Sequence, residues 1–342
     1  MSFTEIREIP TPEEIINLVP LSGKLKEMKL ERDNEIQKIV KGESDKFLII
    51  VGPCSADDEA AVCEYVYKLA EINDKVKDKL FIIPRVYTNK PRTTGEGYKG
   101  MMHQPDPEQK PNAFEGILKI RRMHVKAMEG SGLTAADEML YPDNLMYVED
   151  MLSYIAIGAR SSENQQHRII SSGISLPVGM KNPMSGDLSI MYNAIYAAQI
   201  KHTFIYHGHE VETSGNELCH AVMRGSVNKH GNHIPNYHYE DLLFSCEMYA
   251  SRGLKNPMVI VDTNHSNSQK QYLEQIRISK EIINSRKYNT VIKKNVRGLM
   301  IESYLEEGSQ KISDKVYGKS ITDACINIKQ TENLLLYLAD NV

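Results

Sequence analysis

The sequence predicts an α/β fold, a (β/α)8 TIM barrel carrying an N-terminal extension. Three observations point to it. Short β-branched apolar runs alternate with longer stretches of helical period, the signature of a parallel sheet flanked by helices. Eight such units follow one another, the number that closes a barrel of about 250 residues plus insertions. Finally, no internal repeat and no GxGxxG or GxxxxGK[ST] pattern occurs, which removes solenoids and the common nucleotide-binding sheets.

Taken in order, residues 1–45 read as an extension and residues 46–342 as the catalytic barrel. The extension holds two helical pieces, near Pro12–Leu18 and Arg32–Lys41, which must pack on the barrel or on a neighbouring subunit to be ordered. The expected strands are Phe47–Val51, Leu80–Tyr87, Leu133–Glu138, Ile155–Arg160, Leu176–Lys181, Thr203–Tyr206, Pro257–Asp262 and Gly298–Ser303. Amphipathic segments lie between them: Asp57–Lys77, Ala113–Glu129, Asp143–Leu152, Gln165–Ser172, Leu188–Lys201, Tyr239–Arg252 and Gln269–Arg286. A last helix, Thr322–Ala339, closes the chain.

Composition excludes several function classes. With 342 residues, 41% hydrophobic, 25% charged and a net charge of −4, the chain is not a nucleic-acid binder working through bulk positive charge. No apolar run approaches the roughly 18 residues needed to span a bilayer. The polar start MSFTEIREIPTPEE has no signal core, so a cytoplasmic protein is expected. The five cysteines (Cys54, Cys63, Cys219, Cys246, Cys325) are odd in number and widely spaced, which is no disulfide framework.

Barrel enzymes carry their chemistry at the carboxyl ends of the strands. In order, those ends present Cys54, then Arg85 with Lys90-Pro91-Arg92-Thr93-Thr94, then Glu138, Arg160 and Lys181. Arg224 follows the sixth unit, Asp262 and His265 the seventh, and Glu302 the eighth, with Asp323 in the loop beyond. Six cations at one mouth repel one another unless anions compensate. Either they form structural ion pairs, or they hold substrates with several negative charges, phosphate esters fitting arginine's planar fork best. In a closed barrel the first, seventh and eighth strands are neighbours, so Cys54, His265, Glu302 and Asp323 are able to converge. A thiol, an imidazole and two carboxylates favour Mn, Fe, Co or Zn over Mg or Ca.

At these residues the sequence resembles the class I 3-deoxy-D-arabino-heptulosonate 7-phosphate (DAHP) synthases of enteric bacteria and yeast, also called phospho-2-dehydro-3-deoxyheptonate aldolases. The matching stretches are Val51–Asp58, Pro84–Gly100 with its KPRTT core, Ile157–Arg168 (IGARSSENQQHR) and Pro177–Asn182. They continue with Thr213–Asn216, Cys219–Gly225, Asp262–Lys270, Glu302–Gln310 and Tyr317–Ile326 (YGKSITDACI). They keep their order from about residue 32 to the end of the sequence.

The resemblance implies condensation of phosphoenolpyruvate with D-erythrose 4-phosphate and water, giving the heptulosonate 7-phosphate and phosphate, as the entry to aromatic amino-acid synthesis by way of shikimate and chorismate. It implies one divalent metal ion on Cys54, His265, Glu302 and Asp323. Phosphoenolpyruvate falls to Arg85, Lys90, Arg160, Lys181 and Arg224. The phosphate of erythrose 4-phosphate falls to Arg92 and Thr93, with Lys90 and Pro91 near the sugar, and Asp323 is placed at the substrate as well as the metal. Glu138, Lys181 and His265 are expected to handle protons.

A homodimer or homotetramer is implied, with the extension helping to form subunit contacts and a feedback site for an aromatic amino acid that Ser175 would line. Neither nucleic acid nor membrane is an expected partner. If Asp323 reaches the metal, Cys325 comes within bonding distance of Cys54, and a disulfide is expected once metal is stripped; the other reading of Cys325 is a small buried helix residue. Three stretches depart from the family's usual pattern: His207–Glu212, Pro183–Ser185 and the His/Asn-rich Ser226–Tyr237. Rival readings are the sister synthase making 3-deoxy-D-manno-octulosonate 8-phosphate from arabinose 5-phosphate, a non-catalytic sensor on the same barrel, and a metal-dependent aldolase.

Overall fold

The computed structural model describes residues 2–92 and 95–342. Two helices precede the sheet, α1 (Pro12–Leu18) and α2 (Gly23–Lys41). Thr11 and Glu14 form a capping box on α1, and Gly42, in the left-handed region, ends α2. Then β1 (Phe47–Gly52), α3 (Glu59–Val76), β2 (Leu80–Pro84), α4 (Ala113–Ser131) and β3 (Ala135–Glu138) open the barrel. They are followed by the one-turn α5 (Pro142–Leu145), β4 (Leu152–Ile157), α6 (Gln165–Ser171), β5 (Val178–Lys181) and α7 (Leu188–Gln199). Next come a hairpin of β6 (Thr203–Tyr206) and β7 (His209–Glu212), the strand β8 (Cys219–Met223), and a second hairpin of β9 (Ser226–Val227) and β10 (His233–Ile234). The chain ends with α8 (Tyr239–Ser251), β11 (Val259–Asp262), α9 (Glu274–Tyr288), α10 (Thr290–Asn295), β12 (Val296–Tyr304), β13 (Ile326–Asn327) and α11 (Ile328–Asn341).

Eight parallel strands run in the order β2-β1-β12-β11-β8-β5-β4-β3, and β13 extends β12. The two ends of that order meet through a parallel bridge between Arg85 and Ala136, with Val86 N donating to Ala136 O at 2.9 Å. The pleat sends alternate residues to opposite faces. Leu48 and Ile50 of β1 join Ile83, Ala136, Tyr154, Ala156, Val222, Ile260 and Met300 in an interior cluster. Phe47, Ile49 and Val51 face the helix layer with Val62, Val66, Ile282 and Leu335.

The N-terminal ends of the strands are closed by α2, whose Ile36, Ile39 and Val40 enter the interior cluster. The fully buried Arg121 ties the extension down from α4, donating to Val19 O at 2.9 Å while pairing with Asp150 at 2.7 Å.

Four expected elements differ. Thr203–Tyr206 is a strand, but it pairs antiparallel with β7 in a hairpin outside the barrel, and its residues are half-buried or exposed. The sixth barrel strand is β8, buried throughout. Its CHAVM run carries a histidine and small residues in place of β-branched ones, which hid it. The segment Asp143–Leu152 forms only α5 and a short 3-10 turn, Glu149–Met151, because Leu152 already begins β4. The helix expected from Gln269 starts at Glu274, after turns that shape the loop around His265. Residues 322–327 are not helical: Asn327 caps α11, and Cys325 pairs with Gly308 through two backbone hydrogen bonds.

Candidate active site

A cavity of about 320 Å³ opens at the carboxyl ends of the strands. Its wall includes Cys54, Arg85, Lys90, Pro91, Arg92, Glu138, Arg160, Lys181, Arg224, His265 and Asp323, every described residue singled out at the strand ends except the buried Asp262 and Glu302, which pair with Lys181 and Arg85 of the wall. Thr93 lies outside the described residues.

Each of these side chains is set by the end of a strand and the turn after it. Gly52 ends β1 against β2; a Cβ there would sit 2.2 Å from Arg85 O, so only glycine lets the two strand ends meet. Beyond β2 the chain folds back on itself: Met102 N donates to Thr88 O at 3.1 Å, and the buried Tyr98 anchors its hydroxyl on Ala56 O at 2.9 Å. That fold holds Lys90 to Arg92 over the mouth, with Arg92 Nε donating to Tyr98 O at 2.8 Å.

Glu138 ends β3. Its carboxylate crosses to β4, where a Cβ on Gly158 would lie 2.2 Å from Glu138 Oε1. Asn182 joins two cation-bearing strand ends, because its Oδ1 accepts from Arg224 N at 2.9 Å and its Nδ2 donates to Gly225 O at 2.9 Å. The His/Asn-rich stretch forms the β9–β10 hairpin, which brings Val227 and His233 to the cavity wall. His233 Nδ1 lies 3.0 Å from Ser266 Oγ.

Electrostatics organise the floor. Glu302 is 1% exposed; its backbone N–H and C=O are both engaged by the Gln275 side chain, and Asn264 Nδ2 donates to its Oε2. Its Oε1 has no hydrogen-bond partner, although Arg85 Nη2 lies 3.2 Å away. Lys90 Nζ donates to Cys54 Sγ at 2.7 Å and to Asp323 Oδ2 at 3.2 Å. Burial, then the neighbouring Glu302, pushes the Cys54 thiol up to about 11 despite Lys90. Burial also works to raise Asp323, but Lys90, His265 and Lys270 outweigh it and hold the carboxyl well below its usual range.

Lys181 Nζ donates to the buried Asp262 at 2.7 Å. Burial opposes ionisation of Asp262 as well, and His265 with Lys181 overcomes it. Arg224 is lowered by burial and by Arg160, against the pull of Asp262.

The ion-pair reading of the cations therefore holds for three of them. Arg85, Lys90 and Lys181 pair with acids on the floor, yet all three still line the opening. Seven lysines and arginines surround the cavity against four carboxylates, Glu138, Asp262, Glu302 and Asp323, so the mouth keeps a positive excess.

The donor set fits a divalent transition metal. Ligand atoms of Cys54, Glu302 and Asp323 lie within 4.8 Å of one another, and the buried Glu302 Oε1 has no hydrogen-bond partner. His265 stands one step outside this group. Its Nδ1 is 2.8 Å from Asp262 Oδ2, near but not in hydrogen-bonding geometry, and its Nε2 is 3.8 Å from Glu302 Oε1. The backbone at His265 is left-handed (φ 45°), a conformation rare for a histidine and held by the turn closed by Lys270 N on His265 O.

Cys54 and Cys325 are both free and buried, and Cys325 Sγ contacts Asp323 O at 3.6 Å. Sequence reasoning missed Asp137, Asn182, Asn264, Lys270 and Gln275. Of these, Asp137, beside Glu138, and Asn182, beside Lys181, were legible as neighbours of strand-end residues; Gln275 carries no local signal because it reaches Glu302 across the fold.

A barrel with a cationic mouth above a thiol-carboxylate cluster able to hold a metal ion defines an enzyme class suited to anionic substrates. The chain belongs to the DAHP synthetase I family, whose model matches residues 25–336. It is 36% identical to the phospho-2-dehydro-3-deoxyheptonate aldolase of Haemophilus influenzae, covering 99% of this chain and 92% of that one. It is also 36% identical to the Phe-sensitive enzyme of that name from Escherichia coli (100% and 97% covered), and 34% identical to the Trp-sensitive one from Buchnera aphidicola (97% and 94%). The solved structure of the aldolase from Francisella tularensis superposes with a TM-score of 0.92 at 32% identity, covering 100% of this chain and 98% of that one. These relatives carry the heptonate name, and none of them favours the octulosonate alternative.

Proposed function

We propose that this chain condenses phosphoenolpyruvate with D-erythrose 4-phosphate and water, releasing phosphate and 3-deoxy-D-arabino-heptulosonate 7-phosphate, the first step toward the aromatic amino acids. The observation that carries this reading is one cavity gathering Arg85, Lys90, Arg160, Lys181 and Arg224 around the Cys54–Glu302–Asp323 cluster. A phosphate monoester carries about −1.5 to −2 charges at neutral pH, so two such substrates repel each other until a cationic site holds them together.

In this reading Arg160, Lys181 and Arg224, with Arg85 and Lys90, hold the phosphate and carboxylate of phosphoenolpyruvate. Arg92 and Thr93 hold the phosphate of erythrose 4-phosphate, with Lys90, Pro91 and Asp323 along the sugar. Cys54, His265, Glu302 and Asp323 would hold one divalent ion, Mn, Fe, Co or Zn. When bound, the ion supplies Lewis acidity to the aldehyde oxygen. Carbon 3 of phosphoenolpyruvate attacks the aldehyde carbon, and the oxygen takes a proton from solvent relayed by His265 in the form whose Nε2 is free of the ion. Water then adds to carbon 2, with Glu138 taking its proton and Lys181 beside it, and the tetrahedral adduct expels phosphate.

The extension, residues 1–45, is proposed to carry the subunit contacts of a homodimer or homotetramer, supported by the exposed Phe3, Ile6, Leu18 and Leu30. An aromatic amino acid is proposed to bind the groove of about 430 Å³ that Ser175 lines with Asp33, Gln37 and Glu149. No described helix is long and apolar enough to cross a membrane, and a cytoplasmic location is part of the same proposal.

The test is loss of phosphoenolpyruvate absorbance with erythrose 4-phosphate and, separately, arabinose 5-phosphate, with and without chelator. Turnover with the tetrose alone, abolished by chelation and restored by one of the four metals, is expected. In the same assay Glu138→Gln should lose turnover and keep phosphoenolpyruvate affinity. Equal turnover of the pentose phosphate, or full activity after chelation, overturns the substrate or the metal assignment respectively.

A further inference from the structure

The opposite end of the barrel carries a second cationic cavity. It measures about 1210 Å³ and opens where β1, β2, β11 and β12 begin. Lys41, Lys46, Lys79, Arg286, Lys293, Lys294 and Arg297 line it, against only two acidic side chains, Asp45 and Asp78. Lysines on a rim are ordinary solvated charges; the two arginines are not.

Arg286, on α9, is 8% exposed. Its Nε is buried without a hydrogen-bond partner, and among the described residues no carboxylate lies within salt-bridge distance of its guanidinium. Its Cζ lies 4.4 Å from the centroid of the Phe47 ring. Arg297, at the start of β12, is the like charge beside it. Arg297 is anchored to backbone alone, donating to Ile39 O at 2.6 Å and Pro257 O at 2.7 Å, and its Nε too lacks a partner.

A buried guanidinium facing another cation is costly, and native folds compensate such groups with a counter-charge. Burial, then repulsion from Arg297, lowers Arg286 to about 10, which leaves it charged at neutral pH. The compensation is missing from the protein's own side chains. A cavity with convergent, unsatisfied donors is how a ligand site is recognised.

We propose that this cavity binds a small phosphoryl-bearing anion, free phosphate or a phosphate ester, with Arg286 as its principal ligand and Arg297 and the surrounding lysines as its counter-charge. The planar fork of Arg286 suits two phosphate oxygens, while its other face stays on Phe47. The anion would lock α9 to the seam where α2 meets β12, since Arg297 already joins Ile39 of α2 to β12. The site is independent of the chemistry at the mouth.

The test is a calorimetric titration of the full chain with inorganic phosphate, pyrophosphate and citrate, beside thermal denaturation in each. The wild-type chain should bind phosphate or pyrophosphate at a site that survives Arg224→Ala, which weakens the mouth. Arg286→Gln should bind there at least tenfold more weakly and lose the matching rise in melting temperature. Its melting temperature without anion should stay at or above the wild-type value, because an uncompensated charge is gone. Arg286→Lys, which keeps the charge without the fork, should fall between the two. Identical phosphate titrations for wild type and Arg286→Gln, or binding of citrate without phosphate, overturn the proposal.

Discussion

Asp262→Asn is the sharpest perturbation the site offers. Asp262 is 1% exposed and stands between Lys181, at 2.7 Å, and His265, at 2.8 Å. Lys181 has no second acid at so short a distance among the described residues, and His265 is 3.8 Å from Glu302. Removing one member of a buried ion pair costs about 3–5 kcal/mol, because the other is left charged and uncompensated. Unfolding entropy of about 2.1 cal/mol/K per residue gives a chain of 342 residues roughly 0.7 kcal/mol per kelvin. The melting temperature should therefore fall by about 4–7 °C.

Catalysis should suffer separately, since Lys181 loses the carboxylate that accepts its hydrogen bond and aims its ammonium. A hydrogen bond to a charged group is worth about 1.5–3 kcal/mol, which corresponds to a loss of about 10- to 150-fold in kcat/KM. The assay follows phosphoenolpyruvate absorbance with erythrose 4-phosphate, and a thermal melt runs beside it. A variant within threefold of wild-type kcat/KM and within a degree of its melting temperature would show that Asp262 neither compensates nor positions Lys181.

Gly158→Ala should lower kcat at least tenfold with a small change in melting temperature, because the new methyl meets Glu138 Oε1 and must push that carboxylate off carbon 2; steady-state kinetics check it, and an unchanged kcat removes Glu138 from the water step. Asp137, raised to about 7 by burial despite hydrogen bonds from Thr88, binds its proton more tightly folded than unfolded. Its contribution to stability is therefore full below about pH 4 and lost as pH rises through 7. Asp137→Asn should flatten the melting-temperature profile across that window, and an unaltered profile refutes the assignment. Metal-stripped protein left in air should inactivate reversibly through a Cys54–Cys325 disulfide; Cys325→Ala should resist, and equal inactivation rates rule the pairing out. Because burial raises both thiols, the reaction should quicken as pH rises toward 11.

How much of this was legible in the sequence follows from where the physics is local. Strand ends are local: a buried run that stops at a charged residue reads directly, as at Glu138, Lys181 and Asp262, the last residues of β3, β5 and β11, while Cys54 lies two residues past β1 and Glu302 two before the end of β12. The sixth strand failed because the CHAVM run of β8 carries a histidine and small residues, whereas the outlying β6 has the β-branched look of a strand. The barrel axis therefore cannot be read from propensity at that point, yet Arg224 still lands correctly, since it follows β8 directly.

The residues that escaped are those whose partners are distant in sequence. Gln275 clamps the Glu302 backbone across 27 positions, and Asn182 ties β5 to Arg224 across 42. The same rule explains Arg286: its charge is visible in the sequence, but that no carboxylate meets it is a property of the closed fold. A site built from strand ends is announced by the chain; one built from a missing counter-charge appears only when the whole surface around it has been placed. The cavity beneath the barrel is of the second kind, so phosphate titration of Arg286→Gln tests whether an absent ion pair marks a ligand rather than a flaw in packing.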